Sequence, residues 1–182
     1  MTPQDLKQLR AFARQDGAIL GAAWIVSFVC AMLSLESVAL AMLSNVLALA
    51  TPFLVAFRLG KFRDLALGGY ISFGRALLYC AHVFGCATLL LTVAQFLYLR
   101  YLDASYLQYV VETYRQVLET AQGIDPQEAA RMTEALNGIT PLAWVSAFMI
   151  GDLLVGAILS PLIAWIGHWR SKANPTNPQT MR

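Results

Sequence analysis

ALLYCAHVFGCATLLLTVAQFLYL, residues 76–99, holds no charged side chain between Arg75 and Arg100. At a rise of about 1.5 Å per residue a helix of that length reaches about 36 Å, enough to cross a hydrocarbon core of about 30 Å. Three more runs of the same kind flank it. Gly17 to Leu35 is free of charge, Glu36 makes a tight turn, and Ser37 to Phe57 is again uncharged and closes at Arg58. Downstream, Pro141 stands at a first-turn position and the apolar run continues to Trp165 with Asp152 as its one charge. These runs predict an all-α polytopic membrane protein with four transmembrane helices, at about 17–35, 37–58, 75–99 and 141–167.

The composition agrees. The 182-residue chain is 58% hydrophobic and 13% charged, with a mean hydropathy of +0.56, whereas a soluble domain carries about 25% charged residues on its wetted surface. Four spans of about 20 residues use nearly half of such a length, leave little room for a second domain, and predict a single membrane domain over residues 1–170, followed by a flexible tail at 171–182 with two Asn-Pro pairs. A net charge of +2 gives no reason for a nucleic-acid partner. Cys30, Cys80 and Cys86 all fall in apolar runs, which excludes a disulfide framework. Val29 before Cys30 is no lipidation signal, and the first run lacks a cleavage site, so it reads as a retained span.

Charge distribution sets the orientation. With the N-terminus in the cytoplasm, the inner side collects Lys7, Arg10, Arg14, Arg58, Lys61, Arg63, Arg75, Arg170, Lys172 and Arg182, against Arg100, Arg115 and Arg131 outside. Tyr98, Tyr101, Trp144, Trp165 and Trp169 stand where interfacial aromatic belts form. Both termini are therefore expected inside.

The segment between spans three and four, residues 103–138, is more than a loop. Asp103 is placed to cap a helix whose Leu107, Val110, Val111, Tyr114, Val117 and Leu118 recur every three or four residues. Asp125-Pro126-Gln127-Glu128 then reads as a cap, a first-turn proline and an acidic first turn, and Asn137-Gly138 as a stop. Two short extramembrane helices follow from this pattern. They serve as a lid on the bundle or the membrane surface, or as a docking surface or gate.

Inside the membrane, Asp152 is the most informative residue, because an ionisable group at mid-span costs on the order of 3 kcal/mol unless it finds partners or water. Helical rise puts Ser27, Ser34, Ser44, Asn45, Thr88, Thr92 and Gln95 at neighbouring levels, a polar layer. Three readings stand for Asp152: a neutral carboxyl bonded to Asn45 or a threonine that holds the bundle in register, a proton or cation site, and a contact with another subunit. His82 lies about 10 Å from Arg75 along its span and at a different depth from Asp152, so the two form no dyad; it reads as a bonded neutral imidazole before a proton relay. Cys80, His82 and Cys86 form no metal site, since Cys80 and Cys86 sit about 120° apart around a helix.

Pro52 and Pro161 are helix-kink candidates at a common depth; each frees a carbonyl, of Ala48 and Ala157, and together they shape an inward-facing cavity unless they only bend helices around neighbours. Gly17-x-x-x-Gly21, Ala147-x-x-x-Gly151 and Gly156-x-x-x-Ser160 are small-residue patterns that let helices approach closely. No nucleotide loop, nucleophile elbow or zinc-protease motif is present, so no catalytic residue and no cofactor is assigned.

The layout of four spans with a helical segment before the last, together with Gly69-Tyr70-Ile71-Ser72-Phe73-Gly74 and Tyr98-Leu99-Arg100-Tyr101-Leu102-Asp103, resembles the Bacteroidetes four-span inner-membrane family called domain of unknown function 4199. Where that family reads proline after the aspartate, this chain has Ala104. The resemblance carries no activity. It implies a bacterial inner-membrane location and, from the family's genomic neighbours, a membrane partner such as a polyprenol-type glycosyltransferase. The expectation is a non-enzymatic accessory or scaffold subunit of an envelope-biogenesis complex, embedded in the lipid bilayer and able to form homo-oligomers. A small oligomeric transporter or proton-coupled channel using Asp152 is the alternative.

Overall fold

A computed structural model of the chain describes residues 3–35, 37–102, 106–120 and 125–171. Six α-helices make up these residues, with no strand: α1 Pro3–Met32, α2 Val38–Ala66, α3 Phe73–Leu97, α4 Tyr106–Thr120, α5 Pro126–Asn137 and α6 Pro141–Trp169. Four of them, α1, α2, α3 with the turn that follows it, and α6, are long and apolar enough to cross a membrane. The tight turn assigned to Glu36, the cap assigned to Asp103 and the tail from residue 172 lie outside the described residues.

Two of the helices run further than their uncharged cores. α1 begins at Pro3, because Leu9 and Ala13, both fully buried, continue the stripe of Gly17 and Leu20 while Arg10 and Arg14 face outward. α2 continues two turns past Arg58 to Ala66, because Leu59 and Phe62 are buried there. It stops where Gly68 (φ +65°) and Gly69 (φ +98°) turn left-handed, a conformation that costs glycine little; the Gly69 N–H donates to the Arg63 carbonyl at 3.0 Å.

The chain divides into two compact units, one formed by residues 1–91 and 151–182, the other by 92–150, with the boundaries inside α3 and α6. In the first, α3 is the most enclosed of the four long helices. Small residues bring α1 and α6 against it. A Cβ on Gly17 would stand 2.6 Å from Cys86 Cβ, one on Gly21 2.9 Å from Leu90 Cδ1, and one on Gly156 2.8 Å from Phe84 Cβ. Two of the three small-residue patterns thus act within the chain, whereas Gly151 of the third has nothing within 4 Å.

The link from α2 to α3 is held to the end of α6. His168 Nδ1 donates to the Ile71 carbonyl at 2.8 Å, and the Ser171 hydroxyl lies 3.3 Å from both the Ile71 N–H and carbonyl. Ile71 is 1% exposed. The Gly69–Gly74 stretch is therefore a fixed corner of the bundle.

In the second unit, α3 ends in a π-helical turn, Tyr98–Leu102, with Leu99 buried and the Tyr98 ring edge-on to Tyr106 at 6.3 Å. α5 starts as its sequence predicts: Asp125 accepts from the Gln127 N–H at 3.0 Å, with Pro126 in the first turn. It ends at Asn137, before a Gly138 that keeps a right-handed φ of −78°. Thr140 caps α6 by accepting from the Ala143 N–H at 3.3 Å. The apolar stripe of α4 is only partly covered: Val111 is buried, whereas Tyr114 and Val117 are exposed. On its outer face Glu112 pairs with Arg115 at 2.5 Å, and that hydrogen bond holds the Glu112 carboxyl below the usual carboxylate range.

Candidate functional site

A cavity of about 310 Å³ lies among α1, α2, α3 and α6, with Trp24, Ser27, Ser44, Thr51, Leu91 and Asp152 in its lining. Asp152 stands eleven residues into the 29-residue α6, about 16 Å along an axis of about 44 Å. Most of the lining is apolar. Its polar groups are of two kinds. Those of α1 and α2 are tied to each other: Trp24 Nε1 donates to Thr51 Oγ1 at 2.9 Å, and the Ser27 hydroxyl donates to the Ser44 carbonyl at 3.0 Å, with the two serine hydroxyls 3.3 Å apart. Asp152 is different, since its Oδ2 is buried and has no hydrogen-bond partner. Pro52 adds a further acceptor, because it deprives the carbonyl of Ala48, a lining residue, of its helical donor.

The predicted polar layer is thus gathered in part. Ser27 and Ser44 share the cavity with Asp152. Asn45 does not; it is exposed on α2, beside the exposed Met42, Val46 and Leu49, and is no partner for Asp152. Thr88 is buried in α3 with its hydroxyl unpartnered. Thr92 and Gln95 belong to the second unit, where Thr92 Oγ1 and Gln95 Oε1 are also buried without a partner. His82 Nδ1 donates to the Leu78 carbonyl one turn back at 2.8 Å, the arrangement of a satisfied imidazole. Among the described residues no group of three or more His, Cys, Asp or Glu side chains assembles as a metal site; Cys80 is buried and Cys86 lies under Gly17. Pro161 sits inside a continuous α6, next to the buried and unpartnered Ser160.

Sequence reasoning passed over a second polar cluster. Asp16, 3% exposed, forms an ion pair with Arg58 of α2, which donates from Nε at 2.5 Å, and accepts a hydrogen bond from the Tyr79 hydroxyl of α3. The Tyr79 ring stacks on Phe62 at 4.8 Å, and Phe62 meets Phe12 at 5.3 Å. Every polar atom that Asp16 brings into the bundle finds a charged or hydroxyl partner, as a buried carboxylate requires. Asp5 and Arg75 add a bridge between α1 and α3 at 3.2 Å. The one available signal for the cluster was the apolar stripe that runs through Leu9, Ala13 and Leu20 and carries Asp16 on its inner face.

The two aspartates therefore differ in kind. Asp16 is consumed by neighbours that join three helices, whereas Asp152, only half-buried, lines a cavity and has an Oδ2 without a hydrogen-bond partner. Such an oxygen can accept a proton, a hydrogen bond or a small cation.

No curated protein and no solved structure matches the chain. The model of the family described as protein of unknown function (DUF4199) matches residues 15–167, which takes in the cavity, Asp16 with its partners Arg58 and Tyr79, and both short helices. The chain belongs to the DUF4199 family, with four membrane-span helices and two shorter ones before the last.

Proposed function

We propose that the chain is a multi-pass protein of the bacterial inner membrane with both termini in the cytoplasm, and that its working site is the cavity at Asp152. There a carboxyl group takes up a proton or small cation, as in a small oligomeric transporter or proton-coupled channel. The observation that carries this reading is Asp152, which lines the cavity and whose Oδ2 has no hydrogen-bond partner. A carboxyl kept only to hold helices in register is bonded to its neighbours, as Asp16 is in the same bundle. The lining of α6 from Asp152 to Leu159 covers about 10 Å of its length. One chain therefore encloses a site, and a path across the membrane forms where copies meet.

Asn45 supports a second reading, the accessory or scaffold subunit of an envelope-biogenesis complex. An amide exposed among lipid-facing side chains lacks hydrogen-bond partners until another helix supplies them. That helix belongs to a second copy or to a membrane enzyme such as a polyprenol-type glycosyltransferase.

One preparation separates the readings. Wild-type protein, Asp152→Asn and Asn45→Leu are extracted in mild detergent, examined by mass spectrometry for co-purifying proteins, and reconstituted in vesicles loaded with a pH-sensitive dye. The transport reading expects the wild type to dissipate an imposed proton gradient and Asp152→Asn to lose that flux; equal flux in both, or none in either, overturns it. The accessory reading expects one reproducible partner, lost in Asn45→Leu. A protein that emerges alone and monomeric contradicts it.

A further inference from the structure

We propose that the groove between the C-terminal halves of α2 and α6 binds the headgroup of an anionic phospholipid, with an acyl chain laid along its wall. The groove has a volume of about 410 Å³; Phe53, Phe57 and Ile166 form part of its apolar wall, and Lys61, Arg63 and Arg170 stand at its mouth. From Phe53 to Lys61 is eight residues, about 12 Å of helix. Apolar wall and basic mouth are thus stacked along the membrane normal in the order of an acyl chain and a phosphate.

The two helices close the groove from behind. Gly167 leaves room for Leu59, whose Cδ2 would be 2.6 Å from a Cβ there. Arg63 reaches across, donating from Nη1 to the carbonyls of Gly167 at 3.4 Å and Arg170 at 3.0 Å, while Asp64 takes its Nε at 2.8 Å and its Nη2 at 3.2 Å. Arg63 is therefore engaged in joining α2 to the last carbonyls of α6. Lys61 and Arg170 are not. Lys61 Nζ lies 4.7 Å from the centroid of the Phe57 ring, which orients it at the mouth, and no acidic side chain among the described residues pairs with either cation. With Lys61, Arg63 and Arg170 against Asp64, three positive charges less one negative, the mouth carries a formal +2. Basic pockets between spans are complementary to phosphate-bearing headgroups, and the apolar wall excludes a free anion as the preferred occupant.

The test uses the full chain in a mild non-ionic detergent, titrated with phosphatidylglycerol, with phosphatidylcholine of the same acyl chains, and with inorganic phosphate. Thermal unfolding is the readout. Phosphatidylglycerol alone is expected to raise the unfolding temperature. Lys61→Gln with Arg170→Gln is expected to weaken that effect about 30-fold in apparent affinity, as the loss of two basic contacts implies. Lys7→Gln with Arg14→Gln, an equal change in charge on the exposed face of α1, should leave it intact. Equal stabilisation of the groove variant, an equal loss in the α1 variant, or equal stabilisation by phosphatidylcholine or inorganic phosphate overturns the proposal. Native mass spectrometry of the wild type needs no variant: phosphatidylglycerol retained over phosphatidylcholine supports the site, and equal retention contradicts it.

Discussion

Asp16 and Asp152 are both aspartates within long apolar helices, and their surroundings give them opposite consequences. Removing Asp16 leaves the Arg58 guanidinium and the Tyr79 hydroxyl without their shared acceptor. Breaking a buried pair from one side costs about 3–5 kcal/mol, so Asp16→Ala should lower the unfolding temperature sharply, and Tyr79→Phe, which deletes one charge-assisted hydrogen bond, by less. Asp152→Ala should cost little or stabilise the fold, because the Oδ2 it removes has no partner. Thermal unfolding in detergent ranks the three, and a larger loss for Asp152→Ala than for Asp16→Ala would contradict the assignment. Asp152 was legible in the sequence because it interrupts an otherwise uncharged run. Asp16 was not, because it stands one residue before such a run and looks like its solvated end. Its partners lie 42 and 63 residues away, and nothing local pairs it with them. Asn45 shows the reverse limit: helical rise fixed its depth, and only packing shows that it faces away from Asp152.

At the scale of elements, local chemistry was readable where one residue decides a conformation. The Asp125 cap and Pro126 start of α5 and the break after Asn137 follow from capping and proline geometry alone. The continuation of α2 to Ala66 depends instead on burying Phe62 against Phe12 and Tyr79, and the π-turn after α3 on a backbone pattern without a compositional mark. The small-residue patterns were visible, but which served as contacts was not. Gly17 and Gly151 now separate. Gly17→Ala forces a methyl against Cys86 Cβ and, at 2.9 Å, the Val83 carbonyl, an overpacking that costs about 1–3 kcal/mol. Gly151→Ala meets nothing within 4 Å and should be neutral or stabilising by up to about 1 kcal/mol through helix propensity. Unfolding in detergent measures both, and equal losses would show that α1 does not rest on α3 at Gly17.

For the whole molecule, every depth assigned to a side chain depends on the four long helices crossing the bilayer in alternating directions. Three uncharged runs and a fourth broken only by Asp152 made the four long helices readable from composition, because lipid selects for the simplest of patterns. How helices pack within each unit was not readable, since the contacts that decide it join residues far apart in the chain. In the proposed crossing order Asp152 lies at mid-membrane and Lys61 and Arg170 at the cytoplasmic surface. Single cysteines at positions 60, 120 and 178, introduced after Cys30, Cys80 and Cys86 are replaced by serine or alanine, test it in intact cells with a membrane-impermeant thiol reagent. The expected result is labelling at 120 from outside, with 60 and 178 labelled only after the cells are opened; labelling of 60 or 178 in intact cells, or protection of 120, would contradict the four-span arrangement with both termini inside.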